Sequence, residues 1–156
     1  VLLPFNLEFR YERDASQQTV DRRPKNFAIG AGTVASTILF EYSAFNENTG
    51  NKTLSLARTH QEYSFWWKEK FMNLEFLDAF FSGGVGGYEE KVTTTLSGAG
   101  SATDSSGLQA LAGASVGLQS LMFNYVLVSI EGRLIAGKNF DPNPQGGILL
   151  RLGAEF

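Results

Sequence analysis

Two glycine-rich stretches have spacings that occur in catalytic and cofactor-binding sites. Residues 113–117 (GASVG) match the G-x-S-x-G nucleophile elbow, in which a strained turn between a strand and a helix exposes the serine. Residues 30–35 (GAGTVA) match the dinucleotide fingerprint, in which the glycines open a helix. Neither stretch is followed by a helical pattern, so the structural context that each motif requires is missing. We interpret both stretches as strand positions that need small side chains.

The sequence offers little else for covalent or metal chemistry. One of the 156 residues is histidine, His60, and none is cysteine. Disulfides and thiolate metal sites are therefore excluded, and a Ser–His–acid triad would have to use His60. The net charge of −3 argues against a nucleic-acid partner, which requires a basic face. We predict no cofactor and no bound metal.

The elements that would position these residues are predicted from a sequence period of two, which indicates β-strands. Each alternating segment is about ten residues long, the length that a tilted strand needs to cross a bilayer. About eight such strands are predicted over residues 1–156, which we take as a single domain. The clearest segments are residues 5–12, 27–32, 38–43, 110–117, 126–133 and 148–156.

The connections between these strands alternate in length. Long polar connections alternate with short breaks, which is typical of outer-membrane barrels that have long loops outside and tight turns in the periplasm. The pattern is irregular over residues 53–82, where we expect either a bulge near Leu77 or a short amphipathic helix over residues 69–80. The long connections are residues 14–25, 46–53, 93–107 and 138–147.

The two faces of the predicted sheet differ in a way that identifies its surroundings. One face carries glycine, serine and a few charges of both signs, which suits a cramped interior rather than a solvent surface. The other face is aromatic and β-branched, as contact with hydrocarbon requires. We therefore predict an all-β protein, a closed eight-stranded antiparallel up-and-down transmembrane β-barrel. An interfacial aromatic girdle is predicted at Tyr63, Phe65, Trp66 and Trp67.

Charged residues on the interior face are the most informative set in the sequence. Charges in a narrow, low-dielectric lumen must pair, because an isolated buried ion costs several kcal/mol. We expect a network of ion pairs that plugs the barrel, in which Glu8 and Glu12 reach Arg151; the alternative is a gate whose partners exchange. The predicted network consists of Glu8, Arg10, Glu12, Glu41, Arg58, Glu62, Glu131, Arg133, Arg151 and Glu155.

The last strand carries a family resemblance. Residues 148–156 (ILLRLGAEF), with Leu150, Leu152 and the terminal Phe156 at alternate positions, resemble the C-terminal assembly signal of bacterial outer-membrane barrels. Together with residues 109–147, this segment is similar to the small OmpA-like, OmpX-like and OmpW-like barrels. The resemblance implies an integral outer-membrane protein, assembled by the barrel assembly machinery through its C-terminal strand and surrounded by lipopolysaccharide. A start at Val1 suits a mature chain whose signal peptide has been removed.

The function predicted from these features is non-enzymatic. We expect a monomeric barrel with a plugged lumen that anchors the envelope or interacts through its long outer loops. One alternative is a narrow OmpW-like channel for small solutes, since Leu111, Leu127 and Leu149 lie on the interior face. A second alternative is a barrel enzyme that modifies lipid A and uses His60. A third is a soluble lipocalin-like binder, in which the two faces are exchanged.

Overall fold

The computed structural model describes residues 5–13, 19–22, 24–33, 35–50, 53–123 and 125–154, and the side chains of residues 5–9, 11–13 and 19–22 are outside this description. All of its regular elements are β-strands, and no described segment is a helix able to span a membrane. The strands are β1 (Phe5–Arg13), β2 (Thr19–Arg22), β3 (Lys25–Gly32), β4 (Ser36–Gly50), β5 (Leu54–Leu74), β6 (Leu77–Leu96), β7 (Gly100–Ser105), β8 (Gln109–Met122), β9 (Val126–Gly137) and β10 (Gln145–Ala154).

These ten segments form eight antiparallel runs, because β2 leads into β3 and β7 leads into β8 after short interruptions. Neighbouring runs in the sequence are neighbours in one sheet, which is the up-and-down order. β1 pairs with β10 from Phe5 to Arg10, and it also pairs with β3 at Asn6 and Leu7. The prediction of an all-β, eight-stranded antiparallel up-and-down sheet is confirmed.

One face of this sheet is buried although no second layer covers it within the described residues. Strand β9 shows the alternation most simply, since Glu131 is 1% exposed and the adjacent Ile130 is 50% exposed. A single sheet can bury one face in this way only by curling around it, and the side chains on that face then pack against each other.

The exposed face carries an apolar band, by which we mean the exposed-face positions occupied by large apolar residues. On β5 the band begins at Tyr63, whereas Gln61 and Thr59 on the same face are polar. His60 therefore lies beyond the band, towards the start of β5. The large exposed side chains of the band include Phe27, Ile29, Ile38, Tyr63, Phe65, Trp67, Val85, Val116, Ile130, Leu134, Ile148, Leu150 and Leu152.

The irregular region is simpler than the sequence indicates. β5 continues to Leu74, a tight turn at Glu75 and Phe76 follows, and β6 begins at Leu77, so no helix forms over residues 69–80. The register shift expected near Leu77 lies instead between Lys70 and Met72. Asp78 lies within 2.8 Å of Lys70, so its carboxylate has a cationic partner.

Two of the expected long loops are largely strand. Residues 46–50 continue β4, and residues 93–96 continue β6 before a turn leads into β7. Four strands therefore extend past the apolar band. We call this part the extension, and it comprises residues 45–50 of β4, 54–61 of β5, 89–96 of β6, and β7.

Candidate functional site

The buried face has an apolar layer at its centre. Trp66 is 1% exposed and packs with Leu39, Tyr88, Leu111 and Ile135, and the partly buried Phe140 contacts this group. Two glycines make room for the indole, because a Cβ at Gly84 or Gly113 would come within 2.5 and 2.6 Å of Trp66 ring atoms. The small residues on this face therefore have a definite role, which is to admit a large side chain to a narrow space.

An ion cluster lies on one side of the apolar layer, which we call the lower cluster. The Glu41 carboxylate accepts hydrogen bonds from both terminal nitrogens of Arg133, from Arg151 and from Asn26. Glu131 accepts a bond from Nε of Arg133 at 2.7 Å. The Arg133 guanidinium also stacks 4.2 Å from the centre of the Trp66 ring, so the cluster and the apolar layer pack directly together.

A second cluster lies on the other side of the layer, towards the extension, and we call it the upper cluster. Arg10 donates two hydrogen bonds to Glu62, which also lies 2.7 Å from Nε2 of His60. Arg58 donates to Glu90 at 2.9 Å. The carboxylates of Glu62 and Glu90 thus lie on opposite sides of the His60 ring.

The predicted network divides into three groups when it is compared with this geometry. Arg10, Glu41, Glu62, Glu131, Arg133 and Arg151 are buried and belong to the two clusters. Arg58 is half-buried and pairs with Glu90. Glu155 and the side chains of Glu8 and Glu12 lie outside the described residues, so their predicted contact with Arg151 stays a prediction; within the described side chains, Arg151 bonds Glu41.

Sequence reasoning missed two members of the buried face, Glu90 and Lys68. Each has the parity of a buried neighbour, since Glu90 follows Tyr88 by two positions and Lys68 follows Trp66 by two. That signal was present in the sequence. For Lys68 it was obscured because the phase of the alternation over residues 53–82 was uncertain, whereas Glu90 lies outside that range, in a segment that was not assigned to a strand.

The predicted aromatic girdle is wrong at Trp66. Tyr63, Phe65 and Trp67 are on the exposed face, at 43%, 59% and 50% exposure, but Trp66 is buried among the interior side chains. The reason is the period of two, which sends adjacent residues to opposite faces. At the C-terminal end, Leu150 and Leu152 are exposed, and Phe156 lies outside the described residues.

Two ionisable groups of the upper cluster, Glu90 and His60, lie beyond the apolar band, and their contacts set their pKa values. Partial burial would raise the pKa of Glu90, but His60 and Arg58 together lower the pKa of this carboxyl group to about 2. Burial would lower the pKa of His60, but the carboxylates of Glu62 and Glu90 outweigh burial and the nearby Arg10 and raise the pKa of the imidazole above 6.5. The two carboxylates therefore stabilise the protonated form of His60, which lies between them. The imidazole ring also packs against the rings of Phe45, Tyr88 and Phe140.

We expect the His60 imidazolium to stabilise the folded protein most at low pH. Because the folded-state pKa exceeds the unfolded value, the contribution is complete below about pH 6.5 and is lost as the pH rises through the folded-state pKa. The free energy of unfolding should therefore decrease with pH in this window. Urea titrations of wild type and His60→Gln from pH 5.5 to 8.5 measure this, and a wild-type slope that persists in the variant would contradict it.

The extension ends in an edge strand. Within the described residues β7 pairs with β6 alone, and all six of its residues are exposed. Its outer side therefore presents backbone N–H and C=O groups to the surroundings. A polar recess of about 240 Å³ lies beside it, lined by Glu90, Val92, Asp104, Ser106 and Asn139.

A curled, eight-stranded up-and-down sheet with a buried polar face is the fold of the small outer-membrane β-barrel proteins. Two proteins of this class have solved structures that resemble the chain. The attachment invasion locus protein Ail of Yersinia pestis is 10% identical, with a TM-score of 0.63 over 99% of this chain and 95% of Ail. Ail in complex with the heparin analogue sucrose octasulfate gives 12% identity and a TM-score of 0.67 over 99% and 95%.

Neisserial surface protein A is similar to the same extent, with 10% identity and a TM-score of 0.69 over 98% of this chain and 94% of that protein. No protein-family model matches the chain, and no curated protein matches it by sequence. The resemblance to small outer-membrane barrels is thus confirmed as a likeness of fold.

Proposed function

We propose that the chain is an integral protein of the bacterial outer membrane, a closed barrel whose filled lumen does not conduct and whose extension binds partners. The observation that carries this proposal is the inversion of the two faces: apolar side chains point outwards, and ion pairs are buried within. In water this arrangement would expose a large apolar surface, whereas in a bilayer it buries that surface in hydrocarbon. A lipocalin-like binder would need the opposite arrangement.

Closure of the barrel is supported by the pairing of β1 on both of its sides. Six residues of β1 are in register with β10, and two are in register with β3. A spanning sheet must close, because an unpaired strand edge has no hydrogen-bonding partner in hydrocarbon.

The membrane location is tested by the two tryptophans, which lie on opposite faces of β5. In Trp66→Phe the remaining Trp67 is exposed in the apolar band, and in Trp67→Phe the remaining Trp66 is buried. Vesicles of phospholipids with brominated acyl chains should quench the fluorescence of the first variant strongly and of the second weakly. Equal quenching, or recovery of folded protein from buffer without detergent, would refute the location.

The filled lumen is supported by the two ion clusters and the apolar layer between them. Leu111, Leu127 and Leu149, which favoured a channel for apolar solutes, are all at most 5% exposed and contribute to the filling. We expect planar bilayers containing the wild-type protein to show no steady conductance. A steady conductance of the wild type would support the narrow channel, and one that appeared on Glu131→Ala would support a gate.

The interaction role rests on the free edge of β7. An extended peptide can add to such an edge as a further strand, with backbone hydrogen bonds supplying affinity. Ail has been solved with a heparin analogue, but we do not propose a polyanion of this kind as a partner of this chain. The extension carries the acidic Glu89 and Asp104 as well as Lys91. The partner class we propose is an extended protein segment.

Proline substitution on β7 tests this role. Successive residues of an edge strand direct their N–H groups to opposite sides, so one of Ala102→Pro and Thr103→Pro removes an outward donor, and the other interrupts pairing with β6. Random peptides displayed on phage and selected on wild-type protein should lose binding to at least the outward variant. Unchanged binding to both variants would show that the edge is not used, and Ala102→Gly controls for loss of the side chain.

We further propose that the protein is not an enzyme. Both ring nitrogens of His60 face carboxylates, and no described serine or threonine hydroxyl bonds to it, so an activated nucleophile has no support. Lipid A from cells with and without the protein should give identical mass spectra. Lipopolysaccharide around the band, and the assembly machinery at the C-terminal strand, are the partners that an outer-membrane location implies.

A further inference from the structure

The free edge of β7 follows from the register of the neighbouring strands. β8 pairs with β6 on one side and with β9 on the other, but β9 ends at Gly137, close to its pairing with Leu111. Beyond that point the run that contains β7 and β8 pairs with β6 alone within the described residues. A strand added to this edge would lie in line with β9, and its backbone would meet the six residues of β7.

The outer face of the extension, which continues the exposed face of the sheet, offers little selectivity to such a strand. Ser101, Thr103 and Ser105 of β7 lie on this face, and Thr93 and Thr95 are their neighbours on β6. These side chains are short and carry hydroxyl groups. An added strand can therefore present many kinds of polar residue on this side.

The inner face, which continues the buried face of the sheet, has an uncovered apolar pair behind a gap. Leu54 and Leu96 are direct cross-strand neighbours, 44% and 47% exposed. Leu96 is opposite Gly100 of β7, and the space that a side chain at Gly100 would occupy is open. A large apolar side chain opposite Gly100 has room to lie over the glycine and cover Leu96, as aromatic residues do beside glycines at sheet edges.

Asp104 places a carboxylate four positions further along the same face. Glu90, which lines the polar recess of about 240 Å³ with Asp104, is paired with Arg58. Asp104 makes no ion pair with any residue whose side chain the structure describes. Val92, its cross-strand neighbour, also lines the recess. The recess therefore suits a long basic side chain, whose methylene groups pack on Val92 while its charged end reaches Asp104.

We propose that the free edge of β7 selects extended segments that carry a large apolar residue and a basic residue four positions apart. The apolar side chain lies opposite Gly100 against Leu96, and the basic side chain lies opposite Asp104 in the recess. Residues four apart on a strand share a face, so both contacts are made on the inner face. The proposal rests on the interaction role proposed above and adds the side chains that give it specificity.

Short peptides of serine and threonine with two fixed positions test the spacing. In one set phenylalanine and lysine are four residues apart, in both orders; in a second set of the same composition they are three apart, on opposite faces. Chemical-shift titration of the isotope-labelled protein in lipid nanodiscs measures the Kd, including weak binding. We expect one order of the first set to bind about tenfold more tightly than the second set, since two cross-strand contacts are gained. Equal affinities of the two sets would overturn the proposal.

Variants of the protein separate this selectivity from the interaction role itself. Asp104→Asn should weaken binding of the lysine peptide about two- to fivefold, the size of an exposed ion pair, and should leave a glutamine peptide unaffected. Leu96→Ser should weaken the phenylalanine peptide by a similar factor. Glu89→Gln removes a charge from the outer face and should change neither. If the proline variants of β7 lose peptide binding while Asp104→Asn and Leu96→Ser keep it, the edge binds without this selectivity and only the present proposal fails. If no peptide binds, the interaction role fails with it.

Discussion

Replacing Glu41 by glutamine is expected to lower the free energy of unfolding by about 3–5 kcal/mol, the cost of breaking a buried ion pair by removing one partner. Glu41 is 2% exposed and accepts hydrogen bonds from Arg133, Arg151 and Asn26. The variant keeps the shape of the side chain but, among the described side chains of the lower cluster, leaves two guanidinium groups with the carboxylate of Glu131. Urea unfolding in lipid vesicles, followed by tryptophan fluorescence, measures the loss.

Glu89→Gln is the matched control for Glu41→Gln. Glu89 makes an ion pair with Lys91 at 3.3 Å, but this pair lies at the surface of the extension. Exposed pairs contribute about 0–1 kcal/mol because water screens them. Similar losses in the two variants would show that the lower cluster is hydrated rather than buried, and the proposal of a filled lumen would fail with it.

The alternation of residues predicts the face on which a side chain lies but not the partner it meets there. Glu131 and Arg133 follow the period of two on β9, and both were assigned to the interior from sequence. Arg133 pairs with Glu41, which is 92 positions away. That pairing depends on the stagger between strands across the curled sheet, which no local pattern records.

The prediction from sequence failed where the type of a residue was given more weight than its odd or even position along the strand. Trp66 was grouped with its aromatic neighbours, although adjacent residues of a strand cannot share a face. The bulge between Lys70 and Met72 moves the phase of the alternation by one residue, and this shift has no sequence signature of its own. Lys68 was missed as an interior residue for a related reason, because it has the same parity as Trp66.

Trp66→Ala is expected to cost about 3–5 kcal/mol of unfolding free energy, the usual range for removing a large buried aromatic side chain. The indole fills the space above Gly84 and Gly113, and its Nε1 donates to Ser64 at 2.8 Å. Its removal also takes away the ring on which Arg133 stacks. The loss therefore affects the apolar layer and the lower cluster together.

Trp67→Ala is the control, because it deletes the same side chain from the next residue of the same strand. Trp67 is 50% exposed, contacts Phe81 edge-on and donates to Ser36 at 2.8 Å. Its ring already contacts the surroundings, so truncation leaves no closed cavity, and we expect a loss of about 1 kcal/mol from the uncovered apolar area. Urea titrations of the two variants in the same vesicles measure the difference. A larger loss in Trp67→Ala would reverse the assignment of the two faces, because the side chain with the greater packing would then be the outer one.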